Sequence, residues 1–416
     1  MIRLAVTICA LLLPLSARAT CSMGAYGPAP GGDFVVIAPL PDATAPGQRY
    51  LFRDGRRGST ADAGAPLTCD KDVASVAGQP WPKLAMSERI THFDSVATKL
   101  RGKLIEPAGE AKRPLVVMVH GSESSSAVAG SPYAYVLAAL GLDVFVYDKR
   151  GTGGSEGIYT QNFELLADDA AAALGEAQKL AAGRYSRAGY YGGSQGGWVA
   201  PLAATRSKAD FVAVGFGLVV SPVEEDREQM VLEAKAAGLG PKEMAEIDRL
   251  SKATAKLAGS HFLSGYEDLA RVRREIGDAA WAKEIHGEYS GDMLRMSDAD
   301  LHRIGQARFD NVGLIWDYDA VAALKRLKVP LLWVLAGEDR EAPIAGTKPA
   351  LEALATAGKD VTFYLFPDTD HGIFEYRTLP DGSRQMTRIA DGYFRLLGDW
   401  MKGRADGTYG RAQRLR

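Results

Sequence analysis

Cysteine is scarce in this chain, and neither sign of charge dominates it. Its 416 residues include only 3 cysteines, and 49 basic residues stand against 51 acidic ones, for a formal net charge of -2. Proteins that bind nucleic acid or anionic membranes carry a strongly basic surface, so this mixed and balanced charge excludes an electrostatic footprint of that kind. The composition predicts no nucleic-acid partner and favours a small neutral or mixed-charge substrate.

The N-terminus carries an apolar run that is too short to span a membrane. Residues 4–15 are apolar and interrupted by Pro14, whereas a spanning helix needs about 20 such residues. A short basic start precedes the run, and the small-x-small pattern Ala17-Arg18-Ala19 follows it. We therefore predict a signal peptide over residues 1–19, a periplasmic or secreted protein, and no stable membrane span after cleavage. An uncleaved membrane anchor is the alternative.

Cleavage after Ala19 would remove Cys9 and leave a single pair of cysteines, Cys21 and Cys69. Two cysteines in an exported protein predict a disulfide, which would staple the N-terminal segment. Cys21 could instead carry a lipid, but Thr20 and Arg18 precede it where a lipoprotein signal has small and aliphatic residues.

The middle and C-terminal parts of the chain alternate between two patterns. Continuous apolar runs suit strands buried on both faces, and helical patterns mostly separate them. These runs cover residues 115–119, 143–147, 187–191, 211–220, 331–336 and 361–366. A helix is expected after Asn162, which is a favourable N-cap residue. The alternation predicts an α/β protein with a doubly wound, mostly parallel sheet.

Two segments depart from this alternation. Residues 20–88 are rich in Gly, Pro, Ala and Asp with short strand-like pieces, which predicts a small β-rich accessory region. Residues 221–316 are charged and helical in pattern, and we expect them to form a helical cap at the carboxyl edge of the sheet, where open α/β folds bind ligands. The core then comprises residues 89–220 and 317–404.

Ser194 is the candidate nucleophile. Gly192-Gly193-Ser194-Gln195-Gly196 matches G-x-S-x-G, in which glycines permit a strained turn that exposes the serine hydroxyl. The motif occurs twice, because Gly153-Gly154-Ser155-Glu156-Gly157 also matches. Only Ser194 directly follows a strand-like run and precedes a segment that can enter a helix. We expect Ser155 and the neighbouring Arg150 to serve the structure of their loop.

The partners of such a serine are a base, a carboxylate that orients the base, and N–H donors for the oxyanion. Of the 6 histidines, only His371 lies in a loop after the last core strand, which makes it the candidate base. Asp339, after the preceding strand, is the candidate carboxylate, with Glu338 as the alternative.

The expected oxyanion donors are two backbone N–H groups. Gln195 directly follows the nucleophile and supplies one of them. Ser122, or less favourably Gly121, follows the first buried strand and supplies the other. His120 is expected to order this loop rather than to act as a second base.

These motifs together resemble the α/β-hydrolase superfamily over about residues 89–401. They are His120-Gly121, the run from Asp148 to Ser155, the Ser194 motif, Gly337-Glu338-Asp339 and Asp370-His371-Gly372, in the order that the family has them. The resemblance implies an α/β-hydrolase fold, a structural role for the Arg150 loop and a cap that shapes the substrate pocket. The nearest subgroup is the esterases and lysophospholipase-like hydrolases with an extra N-terminal region, and prolyl-peptidase-like hydrolases share the same core.

The predicted activity is hydrolysis of small carboxylic esters through an acyl-enzyme, with no metal and no organic cofactor. A serine peptidase of the prolyl-peptidase or aminopeptidase type is the alternative, because acidic residues at the start of the cap could bind a substrate α-amine. These residues are Glu224, Glu225, Asp226 and Glu228. A third hypothesis is a binding protein that keeps the fold but does not catalyse a reaction.

Overall fold

A computed structural model describes residues 20–40, 44–109 and 111–416 of the chain. The expected signal peptide at residues 1–19 lies outside this part. Among the described residues, no helix has both the length and the apolar character that crossing a bilayer requires.

The strands fall into an N-terminal group and a core group. The first group is β1 Gly24–Tyr26, β2 Val35–Pro39, β3 Gln48–Phe52, β4 Arg57–Ser59, β5 Leu67–Asp70, β6 Val73–Val76 and β7 Gln79–Pro82. The second is β8 Met86–Ser95, β9 Thr98–Pro107, β10 Arg113–Val119, β11 Asp143–Tyr147, β12 Tyr185–Gly193, β13 Phe211–Gly215, β14 Leu331–Ala336, β15 Val361–Phe366, β16 Thr369–Asp370, β17 Phe374–Thr378, β18 Arg384–Ile389 and β19 Gln413–Arg414.

The helices of the described chain either flank the core sheet or belong to residues 221–316. The flanking helices are α1 Ala127–Gly130, α2 Pro132–Ala139, α3 Phe163–Leu180, α4 Gly196–Ala204, α10 Ala320–Arg326, α11 Ile344–Thr356 and α12 Tyr393–Met401. Those of residues 221–316 are α5 Pro222–Ala236, α6 Pro241–Gly259, α7 Tyr266–Ile276, α8 Ser290–Arg295 and α9 Asp298–Phe309. Short 3-10 turns cover Ala280–Lys283 and His371–Ile373.

The central sheet has the order β19-β15-β14-β13-β12-β10-β11-β9-β8 among the described strands. Its six inner strands, from β15 to β11, are mutually parallel. Antiparallel strands complete both edges, β9 and β8 on one side and β19 on the other. The doubly wound, mostly parallel sheet that the sequence predicted is therefore present.

Both faces of this sheet are covered, which explains why its strands are apolar throughout rather than alternating. Helices α3, α4, α10 and α11 pack on one face in a cluster that includes Val117, Leu174 and Trp333. Helices α2 and α12 pack on the other face around Val116 and Tyr393. The predicted helix after Asn162 is α3, and the Asn162 side chain accepts a hydrogen bond from the Leu165 N–H at 3.0 Å.

The strand expected over residues 211–220 ends early, at Gly215. Phe216 adopts a positive φ of 42°, and its N–H donates to the Val334 carbonyl at 2.8 Å. The chain turns here because it must pass beside the Ser194 turn, whose N–H donates to the Gly215 carbonyl at 3.1 Å. A long-range contact thus shortens a strand that its residues alone would extend.

Helices α5 to α9 form the helical insertion, residues 221–316, which has an apolar cluster of its own. That cluster includes Met230, Leu250, Trp281 and Trp316. The insertion leaves the sheet after β13, at the carboxyl ends of the parallel strands. Its role as a cap over the substrate pocket stays a prediction.

The N-terminal region forms two small antiparallel sheets, β1 to β4 and β5 to β7. Cys21 and Cys69 are joined by a disulfide, as predicted, with their Cα atoms 5.1 Å apart. The first sheet does not stand apart from the core, because Phe34 and Val36 pack in one apolar cluster with Tyr135 of α2. The region is therefore a structural part of the core as well as an addition to it.

Candidate active site

Ser194 lies in a sharp turn between β12 and α4, near the middle of the sheet. Its φ is 52°, in the left-handed region that non-glycine residues rarely adopt. The turn is tight enough that a Cβ on Gly192 would lie 2.5 Å from the Gly196 carbonyl oxygen, so a glycine is required there. Such a strained strand-to-helix turn is the geometry that exposes a nucleophilic hydroxyl.

The second motif match has a different structure. The Ser155 hydroxyl donates to the Asp148 carbonyl at 2.7 Å and accepts from the Arg101 N–H at 2.9 Å. Arg150 forms a buried two-point ion pair with Asp169 at 2.7 and 2.6 Å. These contacts order the loop, as expected, and the Asp148 side chain adds to them by accepting the Gly154 and Val128 N–H groups at 2.9 and 3.0 Å.

His371 and Asp339 meet through the loops that follow β15 and β14. The Nδ1 atom of His371 lies 3.1 Å from each carboxylate oxygen of Asp339. Asp339 also accepts the Glu341 and Ala342 N–H groups at 3.0 and 2.7 Å, which fixes its orientation. Glu338, the alternative acid, points elsewhere and pairs with Arg384 at 2.7 Å.

Several groups hold the His371 ring in place. The Phe216 ring packs edge-on against it, with centroids 5.0 Å apart. The backbone N–H of His371 donates to the Asp370 carboxylate at 2.8 Å, and this carboxylate also pairs with Arg384 at 2.7 Å. Burial alone would lower the pKa of His371, but its hydrogen bond to Asp339 and the charges of Asp339 and Glu341 outweigh that effect and raise the pKa.

Ser194 and His371 line one cavity of about 420 Å³. Within the described chain, the Ser194 hydroxyl has no hydrogen-bond partner. Nε2 of His371 lies 3.6 Å from a carboxylate oxygen of Glu341. Hydrogen bonds between nucleophile and base are often long without substrate and tighten when it binds. The arrangement leaves both groups open to a ligand.

Ser122 and Gln195 line the same cavity. Their backbone N–H groups donate no hydrogen bond within the described residues, so both are available to an oxyanion. The Ser122 loop is fixed by Lys149, whose Nζ donates to the Gly121 carbonyl at 2.6 Å. His120 orders the same loop as expected, since its ring is buried against the Tyr147 carbonyl.

The far wall of the cavity comes from the helical insertion. Trp316 lines it and packs edge-on against Tyr289, with centroids 5.0 Å apart. The Tyr289 hydroxyl is buried without a hydrogen-bond partner among the described residues. Trp281 lies instead in the apolar cluster of the insertion, where its ring N–H donates to Glu246 at 3.1 Å.

Three carboxylates line this cavity, Glu225 and Glu288 from the insertion and Glu341 from the loop after β14. Within the described residues, no lysine or arginine pairs with any of them, and Arg308, which also lines the cavity, pairs with Asp292. Burial, then repulsion from Glu288 and other acids, raises the pKa of Glu225. Three carboxyl groups therefore lie beside the nucleophile, and Glu225 keeps its proton to a higher pH than an ordinary glutamate.

Of the four acids singled out at the start of the insertion, only Glu225 reaches the cavity. Glu224 pairs with Arg227 at 2.9 Å, and Glu228 is buried away from the cavity. Asp226 is fully buried and accepts the N–H groups of Tyr289 and Ser290 at 2.9 and 3.0 Å. Its role is to hold the loop that carries Glu288 and Tyr289.

Sequence reasoning missed Phe216, Glu288, Tyr289 and Glu341. Glu341 lies two residues after Asp339 and could have been suspected from that spacing. Nothing local distinguishes the other three. Glu288 and Tyr289 reach the site through the packing of the insertion on the sheet, and Phe216 reaches it through the turn that ends β13 beside Ser194.

The candidate residues all follow inner strands at their carboxyl ends: Ser122 after β10, Ser194 after β12, Asp339 after β14 and His371 after β15. A family model described as serine aminopeptidase, S33, matches residues 110–267, which include the Ser194 turn. The chain has an α/β-hydrolase fold, with a mixed, mostly parallel sheet, helices on both faces and antiparallel sheets at its N-terminus.

Solved structures similar to this hydrolase include peptidases and esterases. The acylaminoacyl peptidase of Pyrococcus horikoshii is 15% identical with a TM-score of 0.43, over 82% of this chain and 50% of that one. An esterase of Pyrococcus furiosus is 15% identical with a TM-score of 0.42, over 69% and 84% of the two chains. A bacterial brefeldin A esterase is 17% identical with a TM-score of 0.43, over 69% and 70%.

This hydrolase spans about half the length of the acylaminoacyl peptidase chains that it matches. No curated protein sequence matches it significantly. Similarities at these TM-scores do not bear on its substrate, so its specificity has to be argued from its own cavity.

Proposed function

We propose that this hydrolase cleaves small carboxylic esters through an acyl-enzyme, with Ser194 as nucleophile, His371 as base and Asp339 orienting the base. The observation that supports this most is the contact of His371 Nδ1 with both Asp339 oxygens at 3.1 Å, in the cavity that Ser194 lines. That contact fixes the tautomer in which Nε2 is free to accept a proton.

The reaction follows from these positions. The Ser194 oxygen attacks the ester carbonyl while His371 Nε2 takes its proton, and the Ser122 and Gln195 N–H groups receive the oxyanion. The tetrahedral intermediate collapses as His371 returns the proton to the departing alcohol. Water, deprotonated by His371, then attacks the acyl-enzyme and releases the acid with Ser194 restored.

The second serine motif provides a matched control. In Ser194→Ala, hydrolysis of p-nitrophenyl acyl esters should fall by about 10⁴-fold or more, and a fluorophosphonate probe should no longer label the protein. Ser155→Ala should keep the activity and the labelling, because the Ser155 hydroxyl bonds only the Asp148 carbonyl and the Arg101 N–H and does not line the catalytic cavity. Full esterase activity in Ser194→Ala would overturn the assignment.

A second candidate function, release of amino-terminal residues from peptides, is supported by the charge of the cavity. No lysine or arginine of the described residues pairs with Glu225, Glu288 or Glu341, and their carboxylates would attract a substrate ammonium group. In an aminoacyl substrate, the ammonium group is bonded to the carbon next to the carbonyl that Ser194 would attack. The same acyl-enzyme chemistry would apply.

Aminoacyl p-nitroanilides and uncharged acyl esters distinguish the two functions. Under the ester proposal, p-nitrophenyl butyrate turns over well and Glu225→Gln changes its KM little. Under the peptidase alternative, alanine p-nitroanilide is the better substrate and Glu225→Gln raises its KM by about tenfold or more, since an ammonium–carboxylate contact is lost. Activity confined to the anilides would overturn the ester proposal.

A further inference from the structure

A second cavity, of about 430 Å³, lies where the N-terminal sheet, the start of α2 and the β17–β18 hairpin meet. It shares no lining residue with the catalytic cavity. Arg49 of β3, Arg57 of β4 and Tyr133 of α2 provide three of its polar groups, and Tyr50 and Ser59 also line it. Phe374 and Ile389 of the hairpin provide apolar walls.

Arg49, Arg57 and Tyr133 each bring to this second cavity a hydrogen-bond donor that lacks an acceptor. The Nε atom of Arg49 is buried without a partner, although its Nη2 donates to the Gly130 carbonyl. The Arg57 guanidinium lies 4.6 Å from the centre of the Phe374 ring and forms no ion pair within the described chain. The Tyr133 hydroxyl likewise has no partner there. Burial raises the pKa of Tyr133 to about 12, so at neutral pH it remains a donor.

No carboxylate of the described residues lines this cavity. Asp62, three residues after Ser59, accepts the Ser59 N–H at 2.7 Å, and Glu375, next to Phe374, lies 4.0 Å from the Arg388 guanidinium. Neither acid lines the cavity. Helix α2 begins at Pro132 without a side-chain cap, so the positive end of its dipole also lies at this cavity. A buried guanidinium nitrogen without an acceptor is costly, and an anion would satisfy it.

We propose that this second cavity binds a small organic carboxylate with an apolar body. The carboxylate would accept from Arg49, Arg57 and Tyr133, since a guanidinium matches the two oxygens of a carboxylate. The apolar body would pack against Phe374, Ile389 and Leu51, which an inorganic anion would leave uncovered. This site does not depend on the reaction assigned to Ser194.

Isothermal titration of the whole protein with hexanoate tests the proposal, with inorganic phosphate and hexan-1-ol as comparison ligands. Three variants locate the binding. Arg57→Gln removes a guanidinium, and Tyr133→Phe removes only a hydroxyl. Arg56→Gln is the matched control, because Arg56 is exposed, pairs with Asp54 at 2.8 Å and does not line the cavity. Circular dichroism establishes that each variant is folded.

We expect hexanoate to bind in the millimolar range or tighter, and both phosphate and hexan-1-ol to bind more weakly. The affinity should fall about tenfold or more in Arg57→Gln, fall by a smaller factor in Tyr133→Phe and stay unchanged in Arg56→Gln. Equal hexanoate affinity in all folded variants would overturn the site. Phosphate binding as tight as that of hexanoate would overturn the organic ligand, and the absence of any hexanoate binding would overturn the proposal as a whole.

Discussion

At the scale of single residues, the two acids after β14 differ in what they contact. Asp339 holds His371, and Glu338 pairs with Arg384 at the surface. If Asp339 orients the base, Asp339→Asn should lower kcat by about 10⁴-fold, because the amide favours the wrong tautomer of the imidazole. Glu338→Gln should leave kcat nearly unchanged. Ester kinetics on both variants measure this, and a larger loss in Glu338→Gln would reverse the assignment.

The charges around His371 also set how kcat/KM should depend on pH. The base must be neutral to accept a proton, and its raised pKa keeps it protonated to a higher pH than an ordinary histidine. The kcat/KM for a neutral ester should therefore rise with pH through a value above about 6.5.

Glu341 contributes to this pKa from 3.6 Å, on the side of His371 opposite Asp339. Glu341→Gln removes one of the charges that raise the pKa, so the acid limb of the pH profile should move to lower pH. The shift should be a fraction of a unit, because the Glu341 side chain is 72% exposed and water screens it. Glu352→Gln, on an exposed position of α11, is the control. A shift to higher pH, or equal shifts in the two variants, would contradict this role.

At the scale of elements, α5 holds the loop that brings Glu288 and Tyr289 to the cavity. Asp226 accepts two N–H groups of that loop and the Ser290 hydroxyl at 2.5 Å. From the next turn of α5, Gln229 donates to Glu288. The helix therefore acts as a frame for one wall of the site.

Asp226→Ala would leave the two buried N–H groups of Tyr289 and Ser290 without an acceptor, whereas the Ser290 hydroxyl would keep the Thr254 hydroxyl as a partner at 2.6 Å. We expect a loss of about 3 kcal/mol in the free energy of unfolding and a rise in KM that exceeds the fall in kcat, since the wall of the cavity loosens while the catalytic residues stay in place. Urea unfolding and ester kinetics measure the two effects. Asp248→Ala removes an exposed acid of α6 and should cost far less. Equal losses in the two variants would argue against the frame.

The elements that the sequence predicted are those whose signals are local. The inner strands appear as apolar runs because both of their faces are buried, and α3 begins where an asparagine can cap it. The turn at Phe216 and the β17–β18 hairpin after His371 have no such local signal. The first depends on the approach of the Ser194 turn, and the second on pairing with the N-terminal region, where the Ile389 N–H donates to the Gly55 carbonyl at 3.0 Å.

The candidate site also contains residues that a local sequence signal predicts and residues that it does not. Ser194, Asp339 and His371 follow strands, so the order of the strands predicts that they meet at one edge of the sheet. Glu288 and Tyr289 belong to a loop between helices of the insertion, and only the folded insertion places them near Ser194. For that reason the positions of the candidate residues that follow strands were easier to predict than the residues that shape the cavity.

At the scale of the whole molecule, the N-terminal region is tied to the core by packing and by hydrogen bonds. Its first sheet shares an apolar cluster with α2, and Arg388 of β18 donates to the Asp54 carbonyl. Since the β17–β18 hairpin begins three residues after His371, the region also braces the segment that carries the candidate base. Its stability should therefore affect the core and not the region alone.

The disulfide between Cys21 and Cys69 tests this coupling, because it closes a loop with a sequence separation of 48. By loop-closure entropy such a bridge contributes about 4 kcal/mol. If the region and the core unfold together, dithiothreitol should lower the Tm of one shared transition. Cys21→Ser/Cys69→Ser should start from the lower Tm and not respond to dithiothreitol. The circular dichroism signal and the residual activity on esters, both followed on heating, should then fall together. An early transition that leaves the core signal and the activity unchanged would show that the N-terminal region unfolds independently.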